Sequence, residues 1–214
     1  MSLYVTEIFY SIQGESLHAG LPCAFIRLSG CNLRCRYCDT AYAYEPGTQM
    51  GIEEAIQKIE AFQCPLVEVT GGEPLLQPDT PVLITKFLDR GFQVLLETNG
   101  TLDIAPVDPR CIRIVDIKCP GSGESEKTNF SNLDQLTPAD QLKFVLTDRT
   151  DYDYAKNLLM DKWRKEHPAP VLFSPAAGML DPAFLAQWIL SDRLAVRLQL
   201  QLHKIIWPHA ESGV

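Results

Sequence analysis

The sequence predicts an α/β fold: a partial, incomplete TIM-like barrel of about six parallel βα units, with a reduced helical layer and an N-terminal strand extension. The first observation behind this prediction is that short apolar segments alternate with helical segments, as in βα units. The second is length, since the 214 residues fall short of the about 250 that a complete eightfold barrel usually needs. We therefore expect one open domain over residues 1–214.

Each predicted strand is a short apolar or β-branched segment bounded by Gly, Pro or polar residues. In chain order these strands cover residues 3–9, 23–28, 66–70, 92–97, 112–117, 141–146, 171–173 and 195–202.

The predicted helices show apolar periodicity and capping signals. Ile52, Ala55, Ile56 and Ile59 share one face of a helix over 51–62. Gly91 closes a helix over 80–90, and a third helix covers 151–165. Asp181 is the expected N-cap of a helix over 181–190, with Pro182 at its first position. The segment between the strands 112–117 and 141–146 has no helical pattern, so the helical layer is expected to be incomplete there.

The last predicted strand alternates between polar and apolar residues. Arg197, Gln199, Gln201 and His203 share one face. Either this strand is a solvated edge, or its polar face lines the interior of the barrel.

Composition excludes several broad classes of function. The net charge of −8 argues against a general nucleic-acid binder, which needs a basic face. The N-terminus lacks the basic and apolar regions of a signal peptide, and no apolar run approaches the roughly 20 residues of a membrane span. We therefore expect a cytoplasmic protein with reduced cysteines, in which Cys23, Cys64, Cys111 and Cys119 are buried and inert.

The most informative motif is Cys31-Asn-Leu-Arg-Cys35-Arg-Tyr-Cys38, directly after a predicted strand. Three thiolates this close in sequence are typical of a metal centre. A structural zinc ion needs four protein ligands, and no later pair of ligands completes the set. A cubane iron–sulfur cluster usually takes four thiolates, so three leave one iron open. Zinc and a fortuitous cluster of thiols remain the alternatives.

Further motifs follow other strands, at the edge where active sites of such folds lie. They are Thr70-Gly-Gly-Glu-Pro74, Glu97-Thr-Asn-Gly100 and Asp116-Ile-Lys118. The two glycines allow a ligand to approach the backbone, and the same residues are also common in simple turns. Arg27 interrupts an apolar strand, so it is either a solvated position on an edge strand or an anion-binding side chain aimed into a site.

The cysteine spacing, together with these motifs, resembles the signature of the radical S-adenosylmethionine (SAM) superfamily. That resemblance implies a [4Fe-4S] cluster on Cys31, Cys35 and Cys38, with SAM on the open iron. The residues that it implies for SAM binding are Tyr37, Cys38, Asp39, Gly72, Glu73, Glu97, Asp116, Ile117, Lys118, Ser174 and Pro175.

Nearly the whole chain resembles one family within that superfamily, the 7-carboxy-7-deazaguanine synthases of queuosine and deazapurine biosynthesis. The resemblance rests on the cysteine loop, Gln13-Gly-Glu15, Arg27, Leu202-His-Lys204 and Trp207-Pro208. It implies a lyase that converts 6-carboxy-5,6,7,8-tetrahydropterin to 7-carboxy-7-deazaguanine with loss of ammonia, by reductive SAM cleavage and hydrogen abstraction. The substrate-binding residues that it implies are Ile12, Gln13, Gly14, Glu15, Arg27 and Thr70.

The same resemblance implies a Mg²⁺ ion at Thr40, a homodimer, and a flavodoxin or ferredoxin as the electron donor. Arg34 and Arg36 flank the cysteine loop and are the expected docking residues, unless they are simply solvated. Asp116-Ile-Lys118 departs from the Ser-Pro-Lys of many relatives, and the role of the tail after Pro208 is open. The alternative functions are another radical SAM enzyme, such as a glycyl-radical activase, and a non-enzymatic iron–sulfur or zinc protein.

Overall fold

The computed structural model describes residues 1–161 and 169–214. Within these residues one sheet contains nine strands, in the order β3-β1-β2-β4-β5-β6-β7-β8-β9. The strands are β1 (Ser2–Ile12), β2 (Pro22–Leu28), β3 (Thr48–Gly51), β4 (Leu66–Gly71), β5 (Gln93–Thr98), β6 (Ile112–Asp116), β7 (Gln141–Leu146), β8 (Val171–Pro175) and β9 (Arg197–Leu198).

The sheet is mostly parallel and does not close. From β2 through β4 to β9 every neighbouring pair is parallel. β1 pairs antiparallel with both β2 and β3, which forms the predicted N-terminal extension. In the described residues the edge strands β3 and β9 are not paired with each other. This architecture confirms the predicted α/β class and the open sheet.

The described helices are α1 (Ile52–Glu60), α2 (Thr80–Asp89), α3 (Arg149–Asp161), α4 (Pro182–Asp192) and α5 (Leu202–Ile206). The first four agree with predicted helices, although residues 162–165 of the predicted third helix lie outside the described residues. Gly91 follows α2 with φ of +85°, and the Asp181 side chain caps α4 by accepting from the Ala183 amide, both as predicted. No helix in the described chain has both the length and the apolar character needed to cross a bilayer.

The helical layer is incomplete where the sequence predicts it. Between β6 and β7 the chain forms three short 3-10 turns and no α-helix. The strands β4, β7 and β8 are buried along almost their whole length, in two hydrophobic clusters that share this sheet. A rigid sheet therefore supports the loops at its carboxyl edge.

One sequence-based expectation is wrong, and one of the two alternatives for Arg27 is excluded. The strand predicted over 195–202 shrinks to β9, because only Arg197 and Leu198 pair with β8, and the chain then turns into α5. The Leu202 amide donates to the Gly14 carbonyl (2.9 Å), which directs the chain towards the loop after β1. Arg27 is not on an edge strand, since β2 lies between β1 and β4. The structure also adds β3, which the sequence pattern did not indicate.

Candidate active site

A cavity of about 410 Å³ opens at the carboxyl ends of the parallel strands. Most of the predicted site residues line it, which brings five separate sequence motifs to one place. Those residues are Ile12, Gln13, Gly14, Glu15, Arg27, Cys31, Cys35, Tyr37, Cys38, Asp39, Thr40, Thr70, Gly72, Glu97, Asp116 and Lys118.

Four predicted SAM-binding residues are not part of the cavity lining, namely Glu73, Ile117, Ser174 and Pro175. The buried Glu73 carboxylate accepts hydrogen bonds from the amides of Leu75 (2.9 Å) and Asn99 (2.7 Å) and from the Thr98 hydroxyl (2.9 Å). Ile117 is buried in the core, and Ser174 and Pro175 are buried in β8. Glu73 thus braces the loops behind the cavity.

The three cysteines of the 31–38 loop are partly buried free thiols at the cavity wall. Burial raises the pKa of Cys35 to about 11, and the neighbouring Lys118 ammonium opposes this shift. The Cys31 sulfur accepts from the Leu33 amide (3.4 Å) and from Asn99 Nδ2 (3.8 Å). These donors and the nearby ammonium fit a centre bound by thiolates, which carry negative charge.

The donor set fits a cubane better than a single metal ion. In the described chain no three His, Cys, Asp or Glu side chains converge as ligands of one ion would. In a cubane each cysteine binds a different iron, so the thiolates need not converge.

Gly72 allows the end of β4 to pack directly against this loop. A Cβ atom at Gly72 would lie 2.3 Å from the Gly30 carbonyl oxygen and 2.7 Å from the Cys31 Cβ. The Glu73 amide also donates to that carbonyl (2.8 Å). The glycine therefore sets the distance between the cysteine loop and the sheet.

Arg27 points into the cavity from β2. Its Nε donates to Glu7 Oε1 (2.7 Å), and its guanidinium lies beside the rings of Phe9 and Tyr42. Glu7 also accepts from the Tyr42 hydroxyl (2.7 Å) and from the Gly213 amide (3.1 Å). Glu7, Phe9 and Tyr42 therefore hold the Arg27 side chain in place, as an anion-binding group requires.

Thr40 and Asp39 lie together at the cavity wall. The Thr40 hydroxyl donates to Asp39 Oδ1 (2.9 Å), and Asp39 Oδ2 pairs with the Lys204 ammonium (3.1 Å). The arrangement offers few protein oxygens. It fits an ion such as Mg²⁺, which usually keeps several waters and uses one or two protein ligands together with substrate oxygens.

We call the buried polar group formed by Gln13, Glu15, Glu68, Glu97 and Lys143 the polar floor of the cavity. Two of these residues, Lys143 and Glu68, are not among the predicted site residues. Lys143 Nζ pairs with the carboxylates of Glu15 and Glu97, the latter at 2.6 Å. Gln13 Nε2 donates to Glu68 Oε2. Both residues interrupt apolar strands, as Arg27 does, so a charge within a buried strand was the signal that would have found them.

The carboxylates on this floor ionise differently. Burial opposes ionisation of Glu15, but the charges of Lys143 and His203 outweigh it and lower the pKa of Glu15. Burial and the neighbouring Glu97 charge raise the pKa of Glu68 far above its usual value. Burial also raises the pKa of Glu97, against the effect of Lys143. The floor therefore combines one carboxyl group whose ionisation is favoured with two whose ionisation is disfavoured.

The C-terminal tail also contributes to the site. Residues 210–212 and Val214 line the cavity. The side chains of Gln201 and His203 reach it too, although the strand predicted over 195–202 ends at Leu198.

Comparisons with known proteins place the chain in a family. A model of the Radical SAM superfamily matches residues 25–115. The 7-carboxy-7-deazaguanine synthase of Chlorobaculum tepidum is 49% identical over 99% of this chain and 97% of its own length. The chain belongs to the 7-carboxy-7-deazaguanine synthase family. The synthase of Koribacter versatilis is 41% identical over 99% of this chain and 100% of its own.

The fold agrees with this membership. The crystal structure of QueE from Escherichia coli matches with a TM-score of 0.73 over 94% of both chains, at 23% identity. Membership of the 7-carboxy-7-deazaguanine synthase family confirms the predicted radical SAM enzyme with its [4Fe-4S] cluster and SAM. It favours this assignment over a glycyl-radical activase, an electron carrier or a zinc protein.

Proposed function

We propose that this chain is a radical SAM lyase that converts 6-carboxy-5,6,7,8-tetrahydropterin to 7-carboxy-7-deazaguanine with loss of ammonia. The observation that carries the proposal is a single cavity lined by the three-cysteine loop, by Gln13 and Glu15, and by the guanidinium of Arg27. The cysteine loop suits a cluster with SAM, and the side chains of Gln13, Glu15 and Arg27 suit a polar ring with a carboxylate.

Cys31, Cys35 and Cys38 would hold the cluster, and Tyr37, Asp39, Gly72, Glu97 and Asp116 would line the place of SAM. When bound, the reduced cluster and SAM would supply the radical chemistry that removes a hydrogen atom from the substrate. The protein's own residues orient the two ligands and keep water and other reactive groups away from the cavity.

The substrate's amino-pyrimidinone edge needs hydrogen-bond acceptors, and the Glu15 carboxylate and the Gln13 amide supply them. Arg27 suits the planar carboxylate of the substrate, because a guanidinium binds such anions with two donors. Thr40 would hold Mg²⁺ together with substrate oxygens and water. Ile12, Gly14 and Thr70 complete the wall on this side.

We further propose a cytoplasmic homodimer that receives its electron from flavodoxin or ferredoxin. The seven cysteines of the chain are all free thiols, as a reducing compartment maintains them. The exposed Arg34 and Arg36 flank the cysteine loop and offer positive charge to an acidic donor.

The test is turnover by anaerobically reconstituted protein, given SAM, Mg²⁺, dithionite and 6-carboxy-5,6,7,8-tetrahydropterin, with product identified by mass spectrometry. We expect 7-carboxy-7-deazaguanine and ammonia from the wild type. Cys35→Ala should give neither product nor the absorption of the cluster. Cys111→Ala, which removes a buried thiol outside the cavity lining, is the matched control and should retain both. Turnover by Cys35→Ala close to that of the control would refute the proposal.

A further inference from the structure

Lys143 occupies an unusual place for a lysine. It is the third residue of the buried strand β7, between Leu142 and Phe144, which are both fully buried. Its side chain is only 5% exposed. An ammonium group in such surroundings is strongly unfavourable unless it is paired, so its partners decide what it does.

Its two partners come from different parts of the predicted ligand site. Glu15 lies in the loop after β1 and is a predicted substrate residue, and Glu97 lies in β5 and is a predicted SAM residue. Gln201 Nε2 donates to the other Glu15 oxygen (2.7 Å), and the Glu15 amide donates to Gln13 Oε1 (2.9 Å). Glu15 is therefore fixed at both carboxylate oxygens and at its backbone.

Other titratable groups also face this pair. His203 from α5 faces Glu15, and Asp116 from β6 faces Lys143. Glu68 from β4 faces Glu15, Glu97, Lys143 and Arg27. The groups that face Glu15 most closely are Lys143 and His203, and of these only Lys143 both pairs with it and is fixed in a buried strand.

We infer that Lys143 is a positioning residue for the pterin: it keeps the Glu15 carboxylate charged and aimed into the cavity, where that carboxylate accepts the N–H groups of the substrate ring. This inference rests on the proposed function. The ring offers adjacent N–H donors, and an ionised carboxylate is an acceptor at both oxygens. A protonated Glu15 would place an O–H donor against one of those N–H donors, so that one of the two hydrogen bonds would be lost.

The inference predicts a change in pH dependence. In the wild type the pKa of Glu15 is lowered, so Glu15 stays ionised from pH 6.5 to 8.5 and KM for the pterin should vary little. In Lys143→Gln the largest charge that opposes the effect of burial is gone, although His203 and Gln201 remain, and the pKa of Glu15 rises. Substrate then competes with a proton, so KM should increase as the pH falls, by up to about tenfold per pH unit. kcat at saturating pterin should change much less.

Four further variants identify the group that titrates. Lys143→Arg keeps the charge and should restore the flat profile. Glu15→Gln combined with Lys143→Gln should show a raised KM without the pH dependence, since the titrating carboxyl is gone. Glu97→Gln combined with Lys143→Gln should keep the pH dependence, because Glu15 remains. Glu68→Gln should leave the profile as flat as that of the wild type.

The Glu97→Gln/Lys143→Gln variant removes one ammonium and one carboxylate together, so it carries the same test if Lys143→Gln alone does not fold. A KM that stays within about twofold of the wild type across this pH range, in either variant, would overturn the inference. So would a pH dependence that survives the loss of Glu15. Failure of the wild type to turn over at any pH would count against the proposed function instead.

Discussion

At the scale of single residues, Asn99 is fixed so that its amide faces Cys31, a proposed cluster ligand. Its Oδ1 accepts from the Thr101 amide (3.1 Å) and from the Thr101 hydroxyl (2.7 Å). A backbone amide can only donate, so the carbonyl side of Asn99 must point there. Nδ2 is thereby directed at Asn32 Oδ1 (3.0 Å) and at the Cys31 sulfur (3.8 Å). A fixed donor beside a thiolate ligand adjusts the reduction potential of a cluster.

Asn99→Ala should therefore lower the midpoint potential of the reconstituted cluster. The donor stabilises the more negative, reduced state, and one hydrogen bond of ~0.5–1.5 kcal/mol corresponds to about 20–60 mV for a one-electron couple. The measurement is a redox titration followed by electron paramagnetic resonance, without SAM. Asn32→Ala is the matched control, since Asn32 touches Asn99 and leaves the contact with Cys31 in place. Equal potentials for the wild type and Asn99→Ala would contradict the prediction.

At the scale of elements, the sequence could predict what local pattern determines. The run Leu-Val-Glu-Val before two glycines predicted β4, and its end at the cavity follows from the rule for parallel sheets. The Asp181-Pro182 cap predicted the start of α4, because capping depends on neighbouring residues alone. The cysteine loop and the polar strand ends likewise predicted part of the cavity wall.

Long-range pairing decided the rest. The alternation after Ala195 favoured a strand, but β9 has a sheet partner for only two residues, and a hydrogen bond to Gly14 then redirects the chain. The local sequence pattern does not show how many residues will find a sheet partner, nor that Gly14 lies nearby. The role of Lys143 could not be predicted for a similar reason. The carboxylates that pair with it, those of Glu15 and Glu97, lie 128 and 46 residues away in the chain. A buried charge becomes interpretable only when its partners are known.

One prediction concerns the junction between β4 and the cysteine loop. Gly72→Ala should lower the iron bound per chain and the melting temperature, since its Cβ would lie 2.3 Å from the Gly30 oxygen. Relieving that overlap means moving backbone, which typically costs about 1–3 kcal/mol. Gly51→Ala is the matched control, because a Cβ there meets nothing within 4 Å and φ is −68°. If Gly72→Ala had the same iron content and melting temperature as the control, the backbone at this junction would tolerate the added Cβ and the prediction would be wrong.

At the scale of the whole molecule, this chain and its proposed electron donor are both acidic. The net charge of −8 repels such a donor, so a local positive patch has to guide the encounter. Arg34 and Arg36 are exposed beside the cysteines, and Arg34 is held over the Tyr44 ring at 4.2 Å. Its Nη1 also donates to the Cys31 and Leu33 carbonyls (2.8 and 2.7 Å). The patch is thus attached to the loop that would receive the electron.

Reversing both charges, Arg34→Glu with Arg36→Glu, should slow cluster reduction by flavodoxin about tenfold or more at low ionic strength, because steering of this kind changes association rates by about 10–10³. The wild-type rate should fall as salt rises, because salt screens the attraction, whereas the rate of the variant should not fall, because only repulsion is left to screen. Stopped-flow absorbance at several salt concentrations measures both effects.

Arg193→Glu with Arg197→Glu changes the net charge equally at exposed positions outside the cavity lining, so it should behave like the wild type. Dithionite needs no docking surface and should reduce all three proteins alike. A slow dithionite reaction in the first variant would mean that the cluster itself was damaged. An unchanged flavodoxin rate with unchanged salt dependence would mean that the donor binds elsewhere.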